Sequence, residues 1–278
     1  MNKKLLSLYS LKYNPFSPQV PVEALMISPA IDHFCWRVES QLVNEGGFAL
    51  LTGDPGMGKS VTLRLLANRL ATQRDISVGA LSHATSHIGD FYREMGDVFG
   101  IALRPHNRWG GFKALRERWV AHLEATHVHM VLLVDESQEM PPAVLNELRL
   151  LTSDKFDSRS LLSVVLAGDA RLNTKLMREH LLPLSSRIRI RLPIESSDRD
   201  TLVRLLVHLV SEAGNASLMT PELMKTLAEH AMGNPRILCA TAAELLAAAA
   251  HQEISILDEK LYLEHFSTRR PKQARKAS

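Results

Sequence analysis

The chain has 278 residues, of which 45% are hydrophobic and 23% are charged, a composition typical of a globular protein in aqueous solution. This length accommodates one large domain, or a core domain with a small one beside it. The net charge of +3 is too small to indicate nucleic acid as a partner by itself, and no apolar run reaches the ~18 residues that a membrane span needs.

The N-terminus and the cysteines bear on the compartment. Residues 1–18 contain two early lysines and a short apolar stretch, but they lack the long apolar region and the small-residue cleavage site of a signal peptide. Cys35 and Cys239 stand apart without metal-ligand spacing, which predicts two buried thiols in a reducing compartment. We therefore expect a cytoplasmic protein without a membrane span.

Strands and helices alternate from residue 31 to residue 195. Residues 1–30 come before them, are rich in proline, and predict an extended lead-in that packs onto a larger body. The patterns predict helices at 31–43, 60–72, 88–99, 112–125, 143–151 and 172–180, and strands at 48–52, 76–81, 130–134, 161–167 and 188–192. This alternation predicts an α/β fold with a parallel sheet that is covered on both faces.

The pattern changes after residue 195. Helical segments are expected at 198–214, 221–230 and 236–252 with no strand between them, so residues 196–266 are predicted to form a small all-helical domain. Residues 267–278 form a basic tail, in which positions 269–276 hold five cations and no acid. A second basic cluster consists of Arg104, Arg108, Lys113, Arg116 and Arg118. Each cluster is either a solvated surface or a set of contacts to DNA phosphates.

The segment Gly53-Asp54-Pro55-Gly56-Met57-Gly58-Lys59-Ser60 matches the P-loop pattern G-x-x-x-x-G-K-[ST] in full. Its glycines allow unusual backbone conformations and let amides approach phosphate oxygens. A strand is expected before it and a helix after it, so a helix N-terminus would face the anion. We expect this loop and Val61 to bind ATP, with Lys59 reaching the β- and γ-phosphates and Ser60 ligating Mg²⁺.

A second signal is the apolar strand at 130–134, which ends in Asp135 and Glu136. Two acids after a strand are a weak signal alone, because acids commonly begin loops. Downstream of a P-loop in an alternating fold the signal becomes strong. Asp135 is then expected to hold Mg²⁺ through water, and Glu136 to polarise the water that attacks the γ-phosphate.

Hydrolysis also requires positive charge near the γ-phosphate in the transition state. Arg187, Arg189 and Arg191 alternate, so on a strand they would share one face. Arg187 comes first and is the candidate arginine finger, while the alternative is a solvated basic strand edge. Arg236 opens a helix after Gly233-Asn-Pro, and it either folds back onto the nucleotide or belongs to an ordinary helix N-terminus.

Together these segments resemble the AAA+ ATPases, and more narrowly the ExeA-like branch, which includes general-secretion ATPases and the TniB-, TnsC- and MuB-like ATPases of transposition systems. The segments that carry the resemblance are Tyr13-Asn-Pro-Phe16, Gly-Gly-Phe-Ala-Leu-Leu-Thr-Gly before the P-loop, Val-Asp135-Glu136-Ser-Gln138, Leu-Ala-Gly-Asp169, Ser-Arg187-Ile and Gly-Asn-Pro-Arg236. The resemblance covers nearly the whole chain and implies a P-loop NTPase fold with a helical lid.

The resemblance also implies roles for single residues. Arg187 would be a finger that reaches a neighbouring subunit, and Arg236 would be sensor 2 in the lid. Asp169 occupies the sensor 1 region, where the family usually has an uncharged amide. Residues 1–30 would lie near the adenine. An arginine finger supplied by a neighbour implies self-association into a ring or a filament.

Three roles for such an ATPase are open. We favour a protein that assembles with ATP on duplex DNA, with little sequence preference, and recruits a transposase or integrase, with hydrolysis disassembling it. The second role is an ATPase of an envelope secretion system; similar secretion ATPases usually carry a membrane segment and a cell-wall-binding extension, and we expect neither here. The third is a nucleotide switch that scarcely hydrolyses, against which Glu136 and Arg187 argue.

Overall fold

The structure is a computed structural model that describes residues 2–81, 85, 87–103, 107–155 and 158–267. The chain divides into two compact units. One comprises residues 27–195, and the other combines residues 1–26 with the residues from 196 onwards. Within the described ranges, no helix combines the length and the apolar character needed to cross a membrane.

The unit of residues 27–195 is built on a parallel sheet. Its strands are β1 (Gly47–Gly53), β2 (Ile76–Leu81), β3 (His129–Val134), β4 (Ser153–Asp154), β5 (Arg159–Ser160), β6 (Ser163–Gly168) and β7 (Ile188–Ile194). Five of them form one sheet in the order β2-β3-β6-β1-β7, and every pairing in it is parallel. The strands β4 and β5 form a short antiparallel pair of their own. The predicted α/β fold with a parallel sheet is therefore confirmed.

Helices are numbered along the whole chain. They are α1 (Asn2–Leu8), α2 (Pro29–Arg37), α3 (Val43–Glu45), α4 (Lys59–Ala71), α5 (Ile88–Phe99), α6 (Arg108–Thr126), α7 (Pro142–Leu151), α8 (Ala170–Leu176), α9 (Leu182–Ser185), α10 (Arg199–Glu212), α11 (Pro221–His230), α12 (Pro235–Gln252) and α13 (Glu259–Ser267). Short 3₁₀ turns lie at Val22–Ala24, Ser137–Glu139 and Glu179–Leu181, and a π-helical turn joins α2 to α3 at Val38–Leu42.

The order of the strands brings three turns to one edge of the sheet. Strand β6 lies between β1 and β3, and Val165 of β6 is in register with both Ala49 of β1 and Leu133 of β3. The carboxyl ends of these parallel strands therefore lie side by side. In open α/β sheets, ligands bind outside this edge. All three strands are buried almost throughout, as expected for a parallel sheet that is covered on both faces.

Some predicted boundaries are wrong. The predicted helix at 172–180 ends earlier, at Leu176, and is followed by a 3₁₀ turn and by the short helix α9. Pro183 lacks the N–H group that an uninterrupted helix would need, so it stands in the first turn of α9 instead. The predicted helix at 31–43 contains the π-helical turn, yet its predicted apolar face of Phe34, Val38 and Leu42 is buried.

The second unit is helical and has its own core. It consists of α1 and α10–α13, whereas the sequence predicted three helices in its C-terminal part and none at the N-terminus. Residues 1–26 pack onto this unit: the Tyr9 hydroxyl donates to the carbonyl of Ile254 at 2.7 Å, and the backbone N–H of Lys12 donates to the carbonyl of Ala213 at 2.9 Å. Tyr9 and Phe16 are buried in the same core as Leu206 of α10.

Candidate active site

The P-loop connects β1 to the first turn of α4, as its pattern predicts. Gly56 and Gly58 have positive φ angles of 90° and 102°. A Cβ atom at Gly58 would meet no other atom within 4 Å, so its backbone conformation, and not crowding, calls for glycine there. Open space beside exposed loop amides at a helix N-terminus is what a phosphate group requires.

Lys59 is the buried cation of this loop. Its side chain lies within the loop, and Nζ donates to the carbonyl oxygens of Gly53 at 2.8 Å and Asp54 at 3.1 Å. The residue is only 5% exposed. An ammonium group has three donors, so one N–H remains to reach a phosphate oxygen. The charge of Lys59 is therefore held inside the P-loop, and its contact with the β- and γ-phosphates stays a prediction.

Ser60 and Asp135 meet where α4 begins and β3 ends. The Ser60 hydroxyl donates to Oδ2 of Asp135 at 2.5 Å. A hydroxyl and a carboxylate are hard oxygen ligands, and Mg²⁺ typically takes one or two protein ligands together with phosphate oxygens and waters. No group of three or more His, Cys, Asp or Glu side chains in the described residues could hold a metal alone. The two residues fit Mg²⁺ that is bound together with ATP.

Glu136 adopts a left-handed backbone conformation, with φ 49° and ψ 37°. This region is uncommon for a residue with a side chain, and strain of this kind concentrates at functional sites. Its N–H donates to Oδ1 of Asp135 at 2.9 Å, which ties the two acids together. Its carboxylate accepts a hydrogen bond from Nε2 of Gln138.

Asp169 follows β6, and therefore lies between the turns that carry the P-loop and Glu136. It caps α8, because its Oδ1 accepts a hydrogen bond from the backbone N–H of Arg171 at 2.9 Å. The Arg171 guanidinium also donates to this carboxylate and holds the pKa of Asp169 below its usual range. Its proposed role as sensor 1 stays a prediction, and the carboxylate is engaged with Arg171.

The three alternating arginines lie at the edge strand β7. Arg187 is half-buried in the turn before β7, where Nη1 donates to the carbonyl of Pro183 at 2.5 Å. Arg189 and Arg191 are exposed on β7 itself. The register with β1 shifts at Arg189, which forms an ion pair with Glu45. Only Arg187 therefore lies outside the strand, and its role as an arginine finger stays a prediction.

Arg236 belongs to the helical unit. It is the second residue of α12, its side chain is exposed, and its backbone N–H donates to Oδ1 of the N-cap residue Asn234 at 2.9 Å. The backbone contact is that of a helix N-terminus, and it decides between neither of the two alternatives that the sequence left open for the Arg236 side chain. The role of Arg236 as sensor 2 stays a prediction.

Most of the predicted DNA contacts in the second basic cluster are engaged with acids. Arg108 pairs with the buried carboxylate of Glu147, Arg116 pairs with Asp154 at 2.6 Å, and Lys113 lies 3.7 Å from Glu117. Arg118 is exposed, and no ion pair is found for it in the described part of the chain. Arg104 and positions 268–278 of the basic tail lie outside the described residues. Arg108, Lys113 and Arg118 are the described members that are exposed, and Arg108 and Lys113 each have an acid beside them.

One polar side chain of the site was missed by the sequence analysis. Gln138 is buried, and its amide contacts both the Glu136 carboxylate and the backbone N–H of Asp169. The signal for it is its position in Val-Asp-Glu-Ser-Gln, two residues after Glu136. That segment supported the family resemblance, but the spacing alone assigns no contact to the glutamine.

Comparison with known proteins agrees with this geometry. The family model described as "AAA domain" matches residues 43–176, which contain the P-loop, Asp135, Glu136 and Asp169. The Aeropyrum pernix ORC2 protein in its ADPNP–ADP complexes superposes with a TM-score of 0.73 at 13% identity, covering 91% of this chain and 71% of that one. The chain has the fold of the AAA P-loop ATPases.

Two further similarities bear on this AAA-fold chain. General secretion pathway protein A of Aeromonas hydrophila is 32% identical over 238 residues, which cover 83% of this chain and 42% of that protein. The chain thus matches less than half the length of this relative. The Aeropyrum pernix ORC1 protein in complex with DNA superposes with a TM-score of 0.67 at 17% identity, covering 91% of this chain and 68% of that one.

Proposed function

We propose that the protein is a magnesium-dependent ATPase of the AAA+ type, in the ExeA-like branch. The observation that carries this proposal is the hydrogen bond between the Ser60 hydroxyl and the Asp135 carboxylate, next to the buried Lys59. The 32% identity with general secretion pathway protein A supports the branch.

Each residue of the site has a distinct part in this reaction. Lys59 and the amides of the P-loop bind and orient the phosphates. Ser60, and Asp135 through water, would hold Mg²⁺, which would screen the negative charge that develops in phosphoryl transfer. Glu136 accepts a hydrogen bond from the attacking water and orients it toward the γ-phosphate. Catalysis of this kind relies on positioning and electrostatics, so a carboxylate that is held in place matters more than a strong base.

Arg187 would complete the site of a neighbouring subunit. It stands in a turn at the edge strand of the sheet, at the surface of its own unit. A head-to-tail contact between copies would bring this guanidinium to the γ-phosphate of the next subunit and would generate a ring or a filament. ATP would then favour the assembled state, and hydrolysis would loosen it, because the γ-phosphate is the group that distinguishes the two states.

We further propose that this assembly occurs on duplex DNA and recruits a transposase or integrase. The sequence resemblance to transposition ATPases, the basic tail and the fold shared with a protein solved in complex with DNA support this role. The second candidate is an ATPase of an envelope secretion system. It is favoured by the similarity to general secretion pathway protein A, over a segment that spans 42% of that protein.

A gel-shift titration with ATP separates the two candidates. The DNA role predicts a shift that requires ATP, depends little on sequence, and weakens steeply between about 50 and 200 mM salt, because phosphate contacts dominate such binding. The same titration with ADP is the control. If no shift occurs with ATP even at the lower salt concentration, the DNA role is wrong and the secretion role becomes the better account.

A further inference from the structure

The side chain of Gln138 bridges two turns of the active site. It is 5% exposed and belongs to the 3₁₀ turn Ser137–Glu139, which follows β3 and Glu136. Its Nε2 donates to the Glu136 carboxylate, and its Oε1 accepts from the backbone N–H of Asp169 at 3.2 Å. The amide thus joins the acid proposed to orient water to the turn after β6.

The partners of this amide determine its orientation. The backbone N–H of Asp169 can only donate, so the amide oxygen of Gln138 must face it. The NH₂ group then faces the Glu136 carboxylate. An ionised carboxylate can accept hydrogen bonds but cannot donate them. A flipped amide would lose both bonds, because its NH₂ group would then face the Asp169 N–H and its oxygen would face the carboxylate.

Neighbouring residues hold the bridge in place. Lys175 of α8 donates to the backbone carbonyls of Gln138 and Met140 through its Nζ. A Cβ atom at Gly168 would lie 2.7 Å from Oε1 of Gln138, so the last residue of β6 must be small for the amide to reach Asp169. The bridge therefore depends on both strands and on the helix that follows β6.

We infer that Gln138 is a positioning residue that sets the Glu136 carboxylate and couples it to the turn carrying Asp169. This inference rests on the proposed function, in which Glu136 orients the attacking water. Asp169 follows the strand between β1 and β3. A shift of the turn that carries Asp169 would move the Gln138 amide, and the amide would move the Glu136 carboxylate. A displacement beside the P-loop would in this way reach the group that orients the water.

Two substitutions test the bridge in the full chain. Gln138→Met keeps the length of the side chain and removes both hydrogen bonds. Gln138→Glu keeps an acceptor for the Asp169 N–H and replaces the donor by a second carboxyl group facing Glu136. ATP turnover is measured against ATP concentration, together with the Kd of a fluorescent ATP analogue and the Tm.

Both variants are expected to lower kcat by about tenfold or more near neutral pH, with KM and Kd within about twofold of wild type. A residue that only supports the fold would lower kcat only in proportion to the folded fraction of the variant, which the Tm reports.

A Gln138→Met enzyme that turns over within twofold of wild type overturns the inference, and so does a folded Gln138→Glu enzyme that turns over within twofold of wild type. If the second carboxylate prevents folding, the kcat and KM of Gln138→Met decide alone. A wild-type chain that hydrolyses no ATP would instead overturn the proposed function, so the two failures are distinguishable.

Discussion

The Ser60 hydroxyl donates a hydrogen bond to the Asp135 carboxylate across 2.5 Å, although the two residues are 75 positions apart in the chain. The contact joins the first turn of α4 to the turn after β3. We predict that Ser60→Ala abolishes the tighter binding of ATP that Mg²⁺ confers on the wild type. The Kd of a fluorescent ATP analogue, measured with Mg²⁺ and with EDTA, checks this. Ser40→Ala, an exposed serine on the π-helical turn, should retain the full effect of Mg²⁺.

Lys59 supplies the buried charge of the P-loop. We predict that Lys59→Ala raises the Kd for ATP by at least about tenfold, because a hydrogen bond to a charged group contributes about 1.5–3 kcal/mol. Equilibrium binding of the ATP analogue measures the change. The matched control is Lys113→Ala on α6, where the lysine is exposed beside Glu117 and should leave the Kd unchanged. Unaltered ATP binding in Lys59→Ala would show that the phosphates bind elsewhere.

The proposed finger Arg187 can be tested by mixing subunits. Arg187→Ala retains the P-loop, whereas Lys59→Ala retains the finger, so each variant alone should hydrolyse little ATP. We predict that an equimolar mixture regains part of the wild-type rate, because some junctions then combine an intact P-loop with an intact Arg187. Arg191→Ala, exposed on β7, should keep the wild-type rate. If the mixture hydrolyses ATP no faster than the two variants do separately, the proposal of a site shared between subunits is contradicted.

Replacing Arg108 and replacing Arg118 should have different effects on the stability of the fold. Glu147 is buried, and it accepts hydrogen bonds from Arg108 and, at 2.6 Å, from the Tyr92 hydroxyl. We predict that Arg108→Ala lowers the free energy of unfolding by about 3 kcal/mol, because it leaves a buried carboxylate without its cation. Arg118→Ala should stay within about 0.5 kcal/mol of wild type. Urea titrations of the two variants measure both values, and equal stabilities would contradict the assignment.

Arg118 is also the described arginine of its cluster that we expect to reach a DNA phosphate. If it does, Arg118→Ala should weaken ATP-dependent DNA binding to a similar extent on unrelated sequences. It should also reduce the slope of log K against log salt by about 1. Lys225→Ala, at an exposed lysine on α11, is the control. An unchanged slope would exclude Arg118 as a phosphate contact, while Arg104 and the basic tail would stay candidates.

The sequence predicted the P-loop, Asp135 and Glu136 because each depends on a local pattern: a glycine loop after a strand, and acids at a strand end. It could not predict the contact between Gln138 and Asp169, which exists because β6 lies between β1 and β3. Strand order is a property of the whole fold. The ion pair of Arg108 with Glu147 was missed for the same reason, since it joins α6 to α7.

Steady-state ATP hydrolysis by wild type and Glu136→Gln, with ATP binding measured in parallel, tests the central claim most directly. The exposed Glu139, which pairs with Arg171, provides the control Glu139→Gln. The account predicts magnesium-dependent turnover in wild type and in Glu139→Gln. It also predicts that turnover in Glu136→Gln falls by about a hundredfold or more, with the Kd for ATP unchanged. Undiminished hydrolysis by Glu136→Gln would contradict the assignment of Glu136 and the mechanism built on it.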